Sequence, residues 1–169
     1  MKQQKKIILY FALSVLILIS LTACQDKTKK YEEAEATEIQ NYLAKNSSLN
    51  FELKASGLYY LEVQQGTGLQ PVAHDTVYVF YTLYYLDGTQ LDTNVGTTDT
   101  LSFPVAEGYV INGFYEGVTY MKVGGKSKLL IPSSLGYGPY GDYSGTISGY
   151  TPLLFDINLV RVKKGPVTK

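Results

Sequence analysis

Thr-Val-Tyr-Val-Phe-Tyr-Thr-Leu-Tyr-Tyr-Leu-Asp-Gly-Thr-Gln-Leu-Asp, residues 76–92, alternates with period two. Val77, Val79 and Tyr81 fall on one face; Tyr78, Phe80 and Thr82 fall on the other. That alternation is the mark of a strand with one face buried. Asp87-Gly88 then supplies a tight turn, and Gln90-Leu91-Asp92 returns beside the first strand. A hairpin of this kind places an antiparallel sheet at the centre of the fold.

Working outward, short runs of the same period occur at 58–63, 101–103, 126–131 and 153–162. The last puts Leu153, Phe155, Ile157 and Leu159 on one face. Ile111, Phe114, Tyr115 and Val118 recur instead at helical spacing, and Gly124-Gly125 is expected to end that helix. The expectation is an α+β domain of about five antiparallel strands with one short helix packed across them. A small sheet needs a second layer to bury its face, and this helix is the only candidate. Residues 136–150 carry five glycines and four tyrosines. A loop of that length in a compact domain is usually functional or disordered, and tyrosines, with apolar bodies and polar tips, favour function.

The ends of the chain read differently. No glycine precedes Gly57, and all 16 lie from there on, which marks a boundary. Residues 30–45 read as a helix of about 24 Å, with Glu32, Glu33, Glu35 and Glu38 early and Lys45 late, matching the helix dipole. Ile39, Tyr42 and Leu43 give it only a narrow apolar edge, so a solvated spacer is the plainer reading. Residues 46–55 are then a connector. Met1 to Lys6 holds three lysines and no acid, and 7–21 is nearly unbroken apolar sequence, short for a membrane span. This pattern reads as a secretory leader. It ends Leu21-Thr22-Ala23-Cys24, which resembles the lipobox of bacterial lipoproteins. That resemblance implies a signal peptide over 1–23, acylation of Cys24, a membrane-tethered chain in the cell envelope and, with Gln25 next, the outer membrane. The segments expected are a tether over 24–55, a domain over 56–164 and a tail over 165–169.

Composition narrows the chemistry. With 15 basic against 15 acidic residues the formal charge is zero, and no basic stripe awaits nucleic acid. Removing the leader takes three lysines, leaving 12 basic against 15 acidic residues, a net −3. The single Cys excludes a disulfide framework and, once acylated, thiol catalysis. His74 stands alone without a motif, and no nucleophile elbow, Walker loop or dinucleotide fingerprint occurs. Asp87 belongs to a turn, so Asp92 lacks a partner for paired-carboxylate hydrolysis. What remains is an aromatic-rich apolar surface with one carboxylate and several of the 16 tyrosines, 13 of them between Tyr59 and Tyr150. On pattern alone Tyr81 fits core or pocket. Phe103, Phe114 and Phe155 read as core, and Asp92, in Asp-Thr-Asn, reads as a turn residue.

Five blocks, in order over residues 56–164, resemble the FKBP-type peptidyl-prolyl isomerases. They are the strand-turn-strand at 79–92, Val-Ile-Asn-Gly-Phe-Tyr-Glu-Gly-Val at 110–118, Met-Lys-Val-Gly-Gly-Lys at 121–126, Ile-Pro-Ser-Ser-Leu-Gly-Tyr-Gly at 131–138 and Leu-Leu-Phe-Asp-Ile-Asn-Leu-Val at 153–160. The resemblance implies a curved antiparallel sheet wrapped on one helix and a prolyl pocket lined by Tyr81, Asp92, Phe103, Val110, Ile111, Tyr137, Ile147 and Phe155. It implies that the Ile111 N–H and the Tyr137 phenol bind substrate carbonyls, with Asp92 beside the twisting carbonyl. Phe114 stands where the family has a tryptophan, and Leu91 and Leu101 stand where it has aromatics. The expected substrates are proline-containing exported polypeptides, with no metal or cofactor. The same resemblance leaves a second reading open, a binding module of this fold that holds proline-bearing segments or an envelope partner without turnover.

Overall fold

The computed structural model describes residues 27–105 and 108–166. The leader and Cys24 lie outside them. Contacts divide the chain between Thr37 and Glu38. The first helix, α1, covers residues 27–45. Its part before Glu38 is mostly exposed and carries a Lys29–Glu33 ion pair one turn apart at 3.6 Å.

From Glu38 onward the chain packs as one unit. Seven strands follow: β1 (Glu52–Leu53), β2 (Tyr59–Gln64), β3 (Thr76–Tyr84), β4 (Gln90–Thr93), β5 (Leu101–Pro104), β6 (Lys126–Ile131) and β7 (Leu153–Lys163). Between β5 and β6 lies the helix α2 (Asn112–Thr119). The sheet runs β1-β2-β6-β7-β3-β4, with β5 also paired to β3. Every pairing is antiparallel. The longest ladder joins β3 to β7, with Tyr81 opposite Ile157 and Leu83 opposite Phe155.

Alternation decides which side chains meet. Val77, Val79 and Leu83 of β3, Leu129 and Ile131 of β6, and Phe155, Ile157 and Leu159 of β7 are buried on the inner face, under α2. The helix lies against β6 with Gly113, Phe114, Gly117 and Val118 buried. Its two glycines set the approach. A Cβ at Gly117 would stand 2.3 Å from Leu129 Cδ1, and one at Gly113 would stand 2.5 Å from Ile131 Cγ2. Only hydrogen at those two sites lets the helix sink this close. The helix stops at Thr119, before the expected Gly124-Gly125. Tyr120 and Met121 donate their N–H groups to Gly117 and Val118, and Met121 turns into the core.

The outer face is also covered. Ile39, Leu130 and Leu154 are buried together, flanked by Tyr42, Leu43 and Phe51. The end of α1 is therefore not a solvated spacer: its narrow apolar edge joins a small outer cluster with Leu130 and Leu154, bordered by Tyr59 and Tyr84 of the sheet. The packed unit starts well before the boundary drawn at 55/56 from glycine content. β1 sits inside the expected connector; both its residues are exposed, so no apolar alternation announces it. The other six strands fall on the segments read from the sequence. At the other end, the expected tail begins pinned: Lys164 Nζ and the Gly165 N–H donate to buried Asp75 at 2.9 and 3.0 Å. Burial alone would raise the Asp75 pKa. The bonds from Gly165, Lys164 and Val72 outweigh it and hold the carboxyl below its usual range.

One gap in the sheet needs a side chain. β3 pairs with β5 as far as Val79 and with β4 from Thr82, leaving residues 80–81 without a strand partner on that side. Asn94 fills the gap. Its Oδ1 accepts from the Tyr81 N–H at 2.7 Å, its Nδ2 donates to the Val79 carbonyl at 3.1 Å, and its own N–H donates to the Tyr81 carbonyl at 3.2 Å.

Two substitutions test this packing by denaturant unfolding. Gly117→Ala should lower stability by about 1 kcal/mol, because an overpacking cost of about 1–3 kcal/mol exceeds a helix-propensity gain of about 1 kcal/mol. An unchanged or higher midpoint would mean that α2 can lift from the sheet at no cost. Asn94→Ala should lose about 1–3 kcal/mol by stripping Tyr81 of its backbone partner, and Asn94→Asp, which keeps the acceptor, should lose less.

Candidate active site

Above the buried layer, on the face that carries α2, the sheet leaves a hollow of about 150 Å³. Strands β3, β4, β5 and β7 contribute Tyr81 and Leu83, Asp92, Leu101 and Phe155. Tyr109, Val110 and Ile111 lead into α2 along one side, Phe114 comes from the helix itself, and Tyr137 follows the 3-10 turn Ser133–Leu135.

Phe114 is the hub of this arrangement. Its ring packs edge-on to Phe155 at 5.0 Å, to Phe103 at 5.7 Å and to Tyr81 at 6.1 Å between centroids. Each such pair prefers this T-shaped geometry, so the floor is fixed as well as apolar.

The polar groups sit at the wall. The Tyr81 hydroxyl donates to Asp92 Oδ2 at 2.5 Å, and the Thr93 N–H donates to Asp92 Oδ1 at 2.8 Å. Burial, then the bond to Asp92 and its charge, raise the Tyr81 phenol far above its ordinary value. Tyr137 is also raised, first by burial and then by the charges of Asp142 and Asp92. Both phenols are therefore neutral donors at any pH near 7. Among the described residues the Tyr137 hydroxyl makes no hydrogen bond, unlike Tyr81, which is committed to Asp92. Ile111 is the N-cap of α2; its carbonyl accepts from the Phe114 and Tyr115 N–H groups at 3.1 Å each. Among the described residues its own N–H has no partner.

Of the residues expected here, Tyr81, Asp92, Leu101, Val110, Ile111, Phe114, Tyr137 and Phe155 do line one hollow. Three do not. Phe103 and Ile147 are buried in the core, 3% and 6% exposed, and Phe103 packs edge-on against Phe114. Leu91 falls at a register shift between β3 and β4, where two residues, Gln90 and Leu91, span one step of the partner strand; it packs against the edge of the core and is not part of the lining. Leu83 and Tyr109 line the hollow without having been singled out. Leu83 shares a face with Tyr81 by simple alternation, a signal that was present. Tyr109 precedes the helical pattern and carried none. Asn94, which holds the Tyr81 backbone, was signalled only as part of a turn-like Asp-Thr-Asn.

A larger hollow, about 330 Å³, opens on the outer face among Phe80, Thr82, Val95, Asn158 and the Lys128–Asp156 ion pair at 2.5 Å. It contains none of the phenols or backbone donors just described, so size does not decide which hollow carries the chemistry.

Residues 68–160 match the family model for FKBP-type peptidyl-prolyl cis-trans isomerases. An FKBP-type peptidyl-prolyl cis-trans isomerase of Aeromonas hydrophila is 38% identical over 142 residues, 81% of this chain and 52% of that protein. The chain thus spans about half the length of that relative. An FK506-binding protein of Neisseria meningitidis is 37% identical over 106 residues, 63% of this chain and 96% of that protein. Among solved structures, a peptidyl-prolyl cis-trans isomerase of Pseudomonas syringae superposes with a TM-score of 0.69 at 31% identity, covering 81% of this chain and 96% of its own. The matched span exceeds half the chain and takes in the sheet from β3 to β7 with its helix; the chain belongs to the FKBP-type peptidyl-prolyl cis-trans isomerase family.

Proposed function

We propose that the protein accelerates cis–trans isomerisation of X-Pro bonds in exported polypeptides, working from the cell envelope, where an acyl chain on Cys24 holds it to the outer membrane. The observation that carries the catalytic part is the aromatic-floored hollow that opens beside a carboxylate, an uncommitted phenol and an uncommitted backbone N–H. The anchor is supported by the basic, apolar and Leu-Thr-Ala-Cys segments of the leader.

The physics matches those groups. Rotation about an X-Pro bond must cross about 18–20 kcal/mol and takes tens of seconds or more unaided. Reaching milliseconds takes about four decades, or about 5.5 kcal/mol of transition-state stabilisation. As the bond twists, amide resonance is lost and the carbonyl oxygen sheds negative charge. Water favours the planar, polar ground state, so a prolyl ring seated on Phe114 and Phe155 away from water has less to lose by twisting. Asp92 acts in the same direction, because its charge repels the planar carbonyl more than the twisted one. The Tyr137 hydroxyl and the Ile111 N–H hold the flanking carbonyls in place. Neither proton transfer nor a metal enters this scheme.

Three measurements follow. In an isomerase assay on an X-Pro peptide, Asp92→Leu should lower kcat/KM about tenfold, or about 1.4 kcal/mol. Tyr137→Phe should lower it about fivefold, the worth of one hydrogen bond of about 1 kcal/mol. Both variants should keep the parent unfolding transition; unchanged rates in both would remove these residues from the site. Because both phenols are raised, they stay protonated as pH increases, and the rate should be flat from about pH 6 to about pH 9. A parent protein that binds the peptide without accelerating it would instead be a binding module, the reading favoured by Leu91 in an aromatic position and Phe114 in the tryptophan position. Finally, cells fed a fatty-acid analogue should label the parent and not Cys24→Ala; equal labelling would refute the anchor.

A further inference from the structure

On the outer face of the sheet, register sets two rows of side chains across three strands. In one row Lys126 of β6 stands opposite Asn158 of β7, and Asn158 stands opposite Phe80 of β3. In the next, Lys128 stands opposite Asp156, and Asp156 opposite Thr82. Both rows line the hollow of about 330 Å³ on this face. Val63, at a register shift in β2, and Val95, just after β4, add apolar walls.

The second row is already spent. Lys128 Nζ donates to Asp156 Oδ1 at 2.5 Å, and the Thr82 and Thr93 hydroxyls share a bond at 2.9 Å. The first row is not. Among the described residues, neither the Lys126 ammonium nor the Asn158 side-chain amide has a hydrogen bond or an ion pair. A free cation, a free amide and a half-buried aromatic ring therefore lie in one line. Strands are spaced by about 4.8 Å, so Lys126 and Phe80 stand about 10 Å apart at the backbone, a span that the long lysine side chain shortens.

We propose that this hollow is a second binding site, for a small monocarboxylate with an apolar body. The body packs on Phe80, Val63 and Val95, and the carboxylate accepts from Lys126 and Asn158. Charge selects the anion. Two ammonium groups line the hollow against one carboxylate, and Lys128 already matches that carboxylate, so a cation would find no free partner. Backbone pairing selects a small molecule over an extended peptide. The floor strands β6, β7 and β3 are paired on both sides, and Asn94 closes the one gap beside β3, so a peptide would find no open edge to join. The volume also lies in the range of small-ligand pockets, about 300–1,000 Å³. The site is on the face opposite α2 and needs nothing from the isomerase reading.

Methyl NMR on the full chain, titrated with 4-phenylbutyrate, tests this. The ligand joins a ring to a carboxylate through a short alkyl chain. The Val63 and Val95 methyl signals should shift saturably, while those of Leu83, Leu101 and Val110 around the catalytic hollow stay in place. Lys126→Gln should raise the dissociation constant about fivefold, and 4-phenylbutyramide should bind the parent about fivefold more weakly than the acid. Phe80→Ser should remove the shifts; if that variant fails to fold, Lys126→Gln and the amide still decide. No saturable shift at Val63 and Val95 up to about 10 mM would overturn the proposal. So would equal affinity for acid and amide, or shifts at Leu101 and Val110 in their place. A peptide ending in a free Phe carboxylate that moves the same methyls at lower concentration than 4-phenylbutyrate would overturn the small-molecule occupant.

Discussion

The hollow exists because α2 can sink onto β6. Gly113 and Gly117 remove the Cβ atoms that would strike Ile131 and Leu129, so one side of the helix meets the sheet at backbone distance. Phe114, on the neighbouring stripe, is driven down into the aromatic layer formed with Phe103, Tyr81 and Phe155. With the helix seated low, the space above Phe114 and inside the rim of Tyr109, Val110 and Ile111 stays unfilled. A side chain at either glycine would lift the helix and take the floor of the hollow with it.

The polar wall depends on a second constraint, the switch of β3 from one partner strand to another. Sheets leave backbone groups unsatisfied where a partner ends, and a buried unpaired N–H is costly. Here the switch falls at Tyr81, and Asn94 supplies the missing amide. The same short segment carries Asp92 and Thr93, whose hydroxyl donates to the Tyr81 carbonyl at 2.9 Å. Tyr81 and Asp92 therefore meet through a backbone clamped from both strands, which is why a single phenol–carboxylate bond can be short and fixed on a partly exposed wall.

How much of this was readable in the sequence follows from how each element is buried. Along most of β3 and β7 buried positions alternate with less buried ones, so the alternation declares them, while the end of β6 and the start of β7 are buried on both faces. β1 is exposed on both residues and pairs through its backbone alone, leaving nothing for a pattern to register. The distribution of glycine marked where turns begin, not where packing begins, and so it missed Ile39, Tyr42 and Leu43 on the outer face. The site divides in the same way. Local pattern could not separate Tyr81 as pocket from Tyr81 as core, because the residue packs on Phe114 and also faces the hollow. Resemblance to a family brought Asp92 and Tyr137 together over 45 residues of sequence, a juxtaposition no local signal encodes. It also carried Phe103 and Ile147 into the lining, whereas both are buried in the core.

The position of Phe114 has an optical consequence. The chain contains 16 tyrosines and no tryptophan, so its intrinsic emission comes from phenols scattered over the whole domain. An indole introduced at residue 114 would be the sole fluorophore of its kind, seated between Phe155 and the open hollow. Its colour and quenching would then report hydration at that one spot, and excitation to the red of phenol absorption would leave the tyrosines silent while a ring enters or leaves.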